Sequence, residues 1–159
     1  MQQAYLEAIS LIERLHRRFL DVVKSELDRL GVVDVNNVQS LILFNIGNED
    51  LTVGELTHRG YYLGTNVTYN LKKLVENGYV VQERSARDRR SVRIHLSDKG
   101  KELCQQLDTI YSHQAEALGA NALNAEDLAR TNASLRALEQ FWSGALAYGA
   151  SPGGTIRAA

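Results

Sequence analysis

The chain has 159 residues, 44% of them hydrophobic, and a formal net charge of −1. That length suits one compact domain with helical extensions, and the near-neutral charge excludes a generally polycationic protein. One cysteine excludes an internal disulfide framework, and no apolar run approaches the roughly 20 residues that span a bilayer. No basic segment followed by an apolar run opens the chain, so no signal peptide is expected, and the cytoplasm is the expected compartment. Internal repeats and low-complexity segments are absent from the sequence.

Residues 3 to about 29 place Leu6, Ile9, Ile12, Leu15, Phe19, Val22, Val23 and Leu27 at helical spacing, a long amphipathic helix that Gly31 stops. Asp34 is the expected cap of a second helix carrying Val35, Val38, Leu41, Ile42 and Ile46 and ended by Gly47. Thr52 followed by Glu55 fits a capping box, which starts a third helix. Gly60 is its expected left-handed stop, and Tyr61 to Gly64 form a turn. From Thr65 the apolar positions Val67, Leu71, Leu74 and Val75 define a fourth helix, which Asn77-Gly78 ends. Two strands follow, Val80 to Arg84 and Arg90 to Leu96, where Val92, Ile94 and Leu96 alternate with Arg93 and His95. The tip between them is Ser85-Ala86-Arg87-Asp88-Arg89. Ser97 then caps a long helix through Leu103, Leu107, Ile110 and Leu118, and Asn124 caps another with Leu128, Leu135, Leu138, Phe141 and Trp142. Residues 149–159 read as a flexible tail.

The pattern is mainly α with a small β-hairpin wing. Helix, turn, helix and a cationic hairpin over residues 34–100 make a winged helix-turn-helix, flanked by helices at 3–30 and 98–148 within a single domain of 1–159. Charge is uneven: residues 51–100 hold nine Lys or Arg against five Asp or Glu, whereas residues 1–50 and 101–159 are each net acidic. A local excess of cations is what phosphate binding requires, although an arginine-rich loop alone is also an ordinary solvated turn. The expected partner is double-stranded DNA. Thr65, Asn66, Tyr69 and Asn70 fall on the open face of the fourth helix, where Asn can pair with adenine and Tyr or Thr can meet phosphate or a thymine methyl. Thr68 and Lys73 are expected phosphate contacts, and Arg84, Arg87 and Arg89 of the wing are expected to grip phosphate or enter the minor groove. The apolar stripes of the first and last two helices call for a partner, most simply a second copy of the chain, unless they fold back on their own domain.

Other chemistries find little support. There is no G-x-S-x-G, no phosphate loop and no cysteine–histidine pairing, so no enzyme is expected. His16, His58, His95 and His113 are scattered, so neither a metal site nor a cofactor is expected. Cys104 lies among Leu103 and Leu107 and reads as a packing residue. Arg17, Phe19, Tyr61 and Tyr62 either line a cleft for a small-molecule effector or pack ordinarily. A winged helix used only to bind proteins is one alternative, against which the basic wing argues, and a ligand-independent DNA-binding activator or architectural protein is another.

The order of elements resembles the MarR-type regulators over almost all of residues 5–148. The wing shows that family's D-x-R pattern, Asp88-Arg89-Arg90, then the alternating strand Ser91 to Leu96, then Ser97 and Gly100. The run Asn66-Val67-Thr68-Tyr69-Asn70-Leu71-Lys72-Lys73-Leu74-Val75-Glu76-Asn77-Gly78-Tyr79-Val80 is similar to the family's recognition helix entering the wing. The resemblance implies an obligate homodimer on pseudopalindromic DNA, commonly repressing and often released by a small ligand or oxidant. It also implies that Asp88 is structural and holds Arg90 to shape the tip. Tyr69 stands where the family often has Arg, and Lys72 where an acidic residue is common, so base preference does not carry over.

Overall fold

In the computed structural model, residues 1–60, 64–84 and 92–147 are described, with residues 64, 65 and 147 as backbone alone. Contacts group the chain into two compact units, 1–111 and 112–159. In the first, α1 (Gln2–Arg29) and α2 (Asn37–Ile46) precede a two-residue strand β1 (Leu51–Thr52), then α3 (Val53–Gly60) and α4 (Gly64–Glu76). Next come β2 (Val80–Arg84), β3 (Val92–Leu96) and α5 (Asp98–Asn121), which continues into the second unit. There α6 (Ala125–Ala147) is the last described element.

The helix boundaries follow from local chemistry. Gly31 takes a φ of +71° beyond α1, and Gly47 caps α2 with a φ of +56°. The capping box of α3 forms as expected. The Thr52 amide and hydroxyl both donate to Glu55 Oε2, at 2.6 and 2.9 Å, and the Glu55 amide donates back to Thr52 Oγ1 at 3.2 Å. These bonds hold the Glu55 carboxyl below its ordinary range. Ser97 Oγ accepts from the Gly100 amide at 3.1 Å, and Asn124 Oδ1 from the Asp127 amide at 2.9 Å, so both expected caps are present. At the end of α4, Gly78 has a φ of +77°, and the Tyr79 amide donates to the Leu74 carbonyl at 2.9 Å.

Two expectations are corrected. Asn36, not Asp34, caps α2: its side chain accepts from the Gln39 amide at 2.8 Å, and Gln39 Oε1 accepts from the Asn36 amide at 3.0 Å. A capping box needs Glu or Gln three residues on, and only Asn36 has one. Gly60 is the last helical residue of α3 rather than a left-handed residue beyond it. The wing strands β2 and β3 pair antiparallel as expected, and β1 adds a short third strand that was not expected. The sheet has the order β1-β3-β2, with Leu51 opposite Ile94 and Val80 opposite Leu96, all antiparallel.

The core of the first unit is one cluster. Val23 and Leu27 of α1 join Ile42, Leu43 and Ile46 of α2 and Leu56 of α3. Val67, Leu71 and Leu74 of α4, Ile94 and Leu96 of β3, Leu103 and Leu107 of α5, and Val35, Leu51, Tyr79 and Val80 complete it. The buried stripe of α4 thereby fixes which of its faces stays open.

Candidate nucleic-acid interface

The open face of α4 presents Asn66, Thr68 and Tyr69, the last 62% exposed. An aromatic left that bare on a helix surface is available for contact rather than for the core. Asn70 is a correction. It is 9% exposed, and its Nδ2 donates to the Asn66 carbonyl at 2.8 Å. Position 70 lies three after Val67 and four before Leu74, inside the buried stripe, so this polar side chain is spent within the helix. The side chain of Thr65 lies outside the described residues, as do Arg87, Asp88, Arg89 and Arg90 at the wing tip.

The cations divide into two groups. Lys73 donates to Glu76 at 2.9 Å, and Lys72 lies 3.8 Å from the same carboxylate. The Lys73 hydrogen bond holds the Glu76 carboxyl below its ordinary range, and Glu76 in turn raises Lys73. Arg93 donates through Nε to Asp50 at 2.9 Å and through Nη2 to the Asp50 carbonyl oxygen. Arg59 makes a bidentate pair with Glu49, at 2.9 and 2.8 Å, which pushes the carboxyl down and the guanidinium up. These last two pairs join α3 and β3 to residues just before β1, and sequence reasoning missed both because their partners lie 10 and 43 positions apart. Arg84, by contrast, stands exposed at the end of β2, where the chain enters the tip. The arrangement offers hydrogen-bonding and aromatic groups on one helix beside a strand whose end exposes the Arg84 guanidinium.

A family model, described as the MarR family, matches residues 33–91. Over 145 residues the chain is 39% identical to the exopolysaccharide II synthesis transcriptional activator ExpG of Rhizobium meliloti (strain 1021), covering 91% of this chain and 75% of that protein. The chain belongs to the MarR family. Its fold is that of solved members. FabT of Streptococcus pneumoniae, crystallised in complex with DNA, superposes with a TM-score of 0.73 at 22% identity, over 88% of this chain and 98% of that one. MepR of S. aureus, also crystallised with DNA, gives 0.71 at 18% identity, over 84% and 96%. The matched MarR segment takes in α2 through β2 and the wing tip, the part that the sequence had assigned to DNA.

Elsewhere in this MarR protein, Arg17 and Phe19 are the two described residues of the expected effector cleft. Arg17 turns to Glu13 of its own helix at 2.6 Å. Phe19, 41% exposed, packs with its ring 6.0 Å from Tyr111, which meets Phe44 edge-on at 5.4 Å. Tyr61 and Tyr62 lie outside the described residues. A cleft of about 490 Å³ opens beside this trio, lined by Phe44, Gly47, Leu96, Lys101, Cys104 and Asp108 among others. The Tyr111 hydroxyl is buried with no hydrogen-bond partner among the described residues. Nothing in the sequence singled out Tyr111. Among the described residues no group of three His, Cys, Asp or Glu could hold a metal ion, and no helix is long and apolar enough to cross a membrane.

Burial pushes the Cys104 thiol up to about 11. At pH 8 its thiolate population is then roughly a hundredfold below that of an ordinary cysteine, so native alkylation should be slower by about that factor than in denaturant. Alkylation of the folded protein at the denatured rate would show Cys104 to be a reactive thiol.

Proposed function

We propose that the protein is a homodimeric, sequence-specific regulator of transcription that binds double-stranded DNA at a pseudopalindromic operator and represses from it. It acts in the cytoplasm and has no enzymatic activity of its own. The observation that carries this is the open face of α4, with Asn66, Thr68 and Tyr69 exposed beside a wing strand that ends at the exposed Arg84. The DNA complexes of FabT and MepR support the same use of the fold. Dimerisation is supported by α1, whose Leu6, Leu15, Phe19 and Val22 remain exposed in the single chain, and by Leu135 and Phe141 of α6. Such apolar stripes are covered by a partner in soluble proteins. A small-molecule effector is supported by the cleft beside Phe44 and Cys104, whose lining is half apolar and half polar.

Selection of binding sites from a random duplex library at two salt concentrations tests the reading. A two-fold symmetric site, bound less as salt rises, is the expected result. Selection that enriches no sequence, with no salt-sensitive binding, would instead leave a winged-helix module that binds protein. With the operator in hand, Asn66→Ala should relax base choice at one position per half-site, narrowing that discrimination by about 1–3 kcal/mol. An unchanged base profile would remove Asn66 from the reading set.

A second reading concerns the sign of regulation. The relative that matches 91% of this chain is named as an activator. A promoter reporter in the presence and absence of the protein separates the two: a rise in output on adding protein replaces repression with activation.

A further inference from the structure

The turn that follows α4 is held from three sides. Asp34, four residues past Leu30 where α1 is capped, accepts the Tyr79 hydroxyl at 2.8 Å and the Lys99 ammonium at 3.0 Å. Lys99, the second residue of α5, also donates to the Asn77 carbonyl at 3.0 Å and sits 3.9 Å above the Tyr79 ring. The Asn77 amide group donates to the Asp34 carbonyl at 2.6 Å, and Ser97 Oγ donates to the Gly78 carbonyl at 2.7 Å. Burial alone would raise the Asp34 carboxyl, but the Tyr79 and Lys99 hydrogen bonds outweigh it and hold the group below its ordinary range.

Directional, charge-assisted bonds add a geometric constraint to the packing of the buried stripe. The joint lies at the C-terminal end of a 13-residue helix whose exposed contact residues, Asn66, Thr68 and Tyr69, lie toward the other end. A helix of that length is about 20 Å long, so a pivot of about 10° at the joint moves its far end by roughly 3.4 Å, one base-pair step.

We propose that Asp34, Tyr79 and Lys99 are positioning residues that set the angle of the recognition helix against α1 and the first turn of α5, and so set the spacing between half-sites that the dimer accepts. This rests on the dimeric DNA-binding reading above. The three residues touch no DNA; they act through the helix they hold.

The test uses the full chain and the selected half-sites, presented in duplexes whose central spacer runs from two base pairs short of the optimum to two base pairs long. Wild-type protein should lose about tenfold or more in affinity per base pair of misfit, comparable to a mismatched base pair. Lys99→Met and Asp34→Asn should flatten that profile to within about threefold across the three central spacers. Tyr79→Phe removes a single oxygen and should flatten it by a smaller factor; it keeps the test decisive if either other variant fails to fold. A thermal midpoint is recorded for each. A merely structural role would weaken every spacer by the same factor and leave the profile sharp, which would overturn the proposal. Wild-type protein that binds no duplex of the series removes the DNA reading and this inference together. A sharp wild-type profile that survives in all three variants removes this inference alone.

Discussion

Replacing Arg84, Arg87 and Arg89 together by alanine is expected to abolish operator binding at physiological salt. Residues 51–100 carry nine Lys or Arg. Five of these already face carboxylates: Arg59 with Glu49, Lys72 and Lys73 with Glu76, Arg93 with Asp50, and Lys99 with Asp34. Exposed pairs of this kind are individually weak, yet a cation that must leave its carboxylate before meeting phosphate returns less than one that need not. Arg84 has no such competitor among the described residues, and Arg87 and Arg89 follow it into the tip. Each phosphate contact contributes about 0.9 to the slope of log affinity against log salt, so three per subunit in a dimer should lower that slope by roughly five. At 150 mM salt the loss should exceed about a hundredfold. Lys73→Ala, made as the comparison, should change the slope by less than about one per subunit. A slope that the triple variant leaves untouched would place the phosphate contacts elsewhere and end the wing assignment.

Gly100→Ala should unfold the protein at temperatures the wild type tolerates. Alanine is ordinarily the better helix residue, by about 1 kcal/mol. Here a Cβ would stand 2.2 Å from the Tyr79 carbonyl oxygen and 3.2 Å from its carbonyl carbon, both backbone atoms that cannot rotate aside. The same carbonyl accepts the Ser97 amide at 3.0 Å, so yielding to the methyl group also strains that bond. Overpacking of this kind costs about 1–3 kcal/mol, and a clash with backbone belongs at the upper end or beyond it. Gly119→Ala and Gly144→Ala, where a Cβ meets nothing within 4 Å, should be neutral or raise the thermal midpoint. A midpoint for Gly100→Ala equal to theirs would contradict the close approach of α5 to Tyr79.

What could be read in the sequence was local. Thr52 with Glu55, Ser97 with Gly100, Asn124 with Asp127, and the glycines at 31, 47 and 78 each act within a few residues, so spacing alone located the helix ends. Strand β2 fell at Val80–Arg84 as read, because β-branched residues follow directly on a glycine stop. The failures have physical causes. Asp34 and Asn36 are both good caps by residue type, and Gln39 decided between them. Asn70 is polar, so its chemistry suggested the open face, while its spacing from Val67 and Leu74 put it on the buried one. A two-residue strand has no period to detect, so β1 was invisible. The pairs Arg59–Glu49 and Arg93–Asp50, and the Asp34–Tyr79–Lys99 joint, depend on which elements come together, and no single stretch of sequence records that.

Thr52 belongs to two structures at once. Its backbone faces Arg93 across the sheet, while its amide and hydroxyl close the start of α3. A flap that hinges freely at its base would exchange its amide protons with solvent independently of the helices. Here one residue carries both the ladder and the cap, so the two are expected to open together. The base of the wing and the first turn of α3 therefore form a single cooperative opening unit, and the amides of Arg93 and Glu55 should exchange with deuterium at matched free energies even under conditions that fray the chain ends.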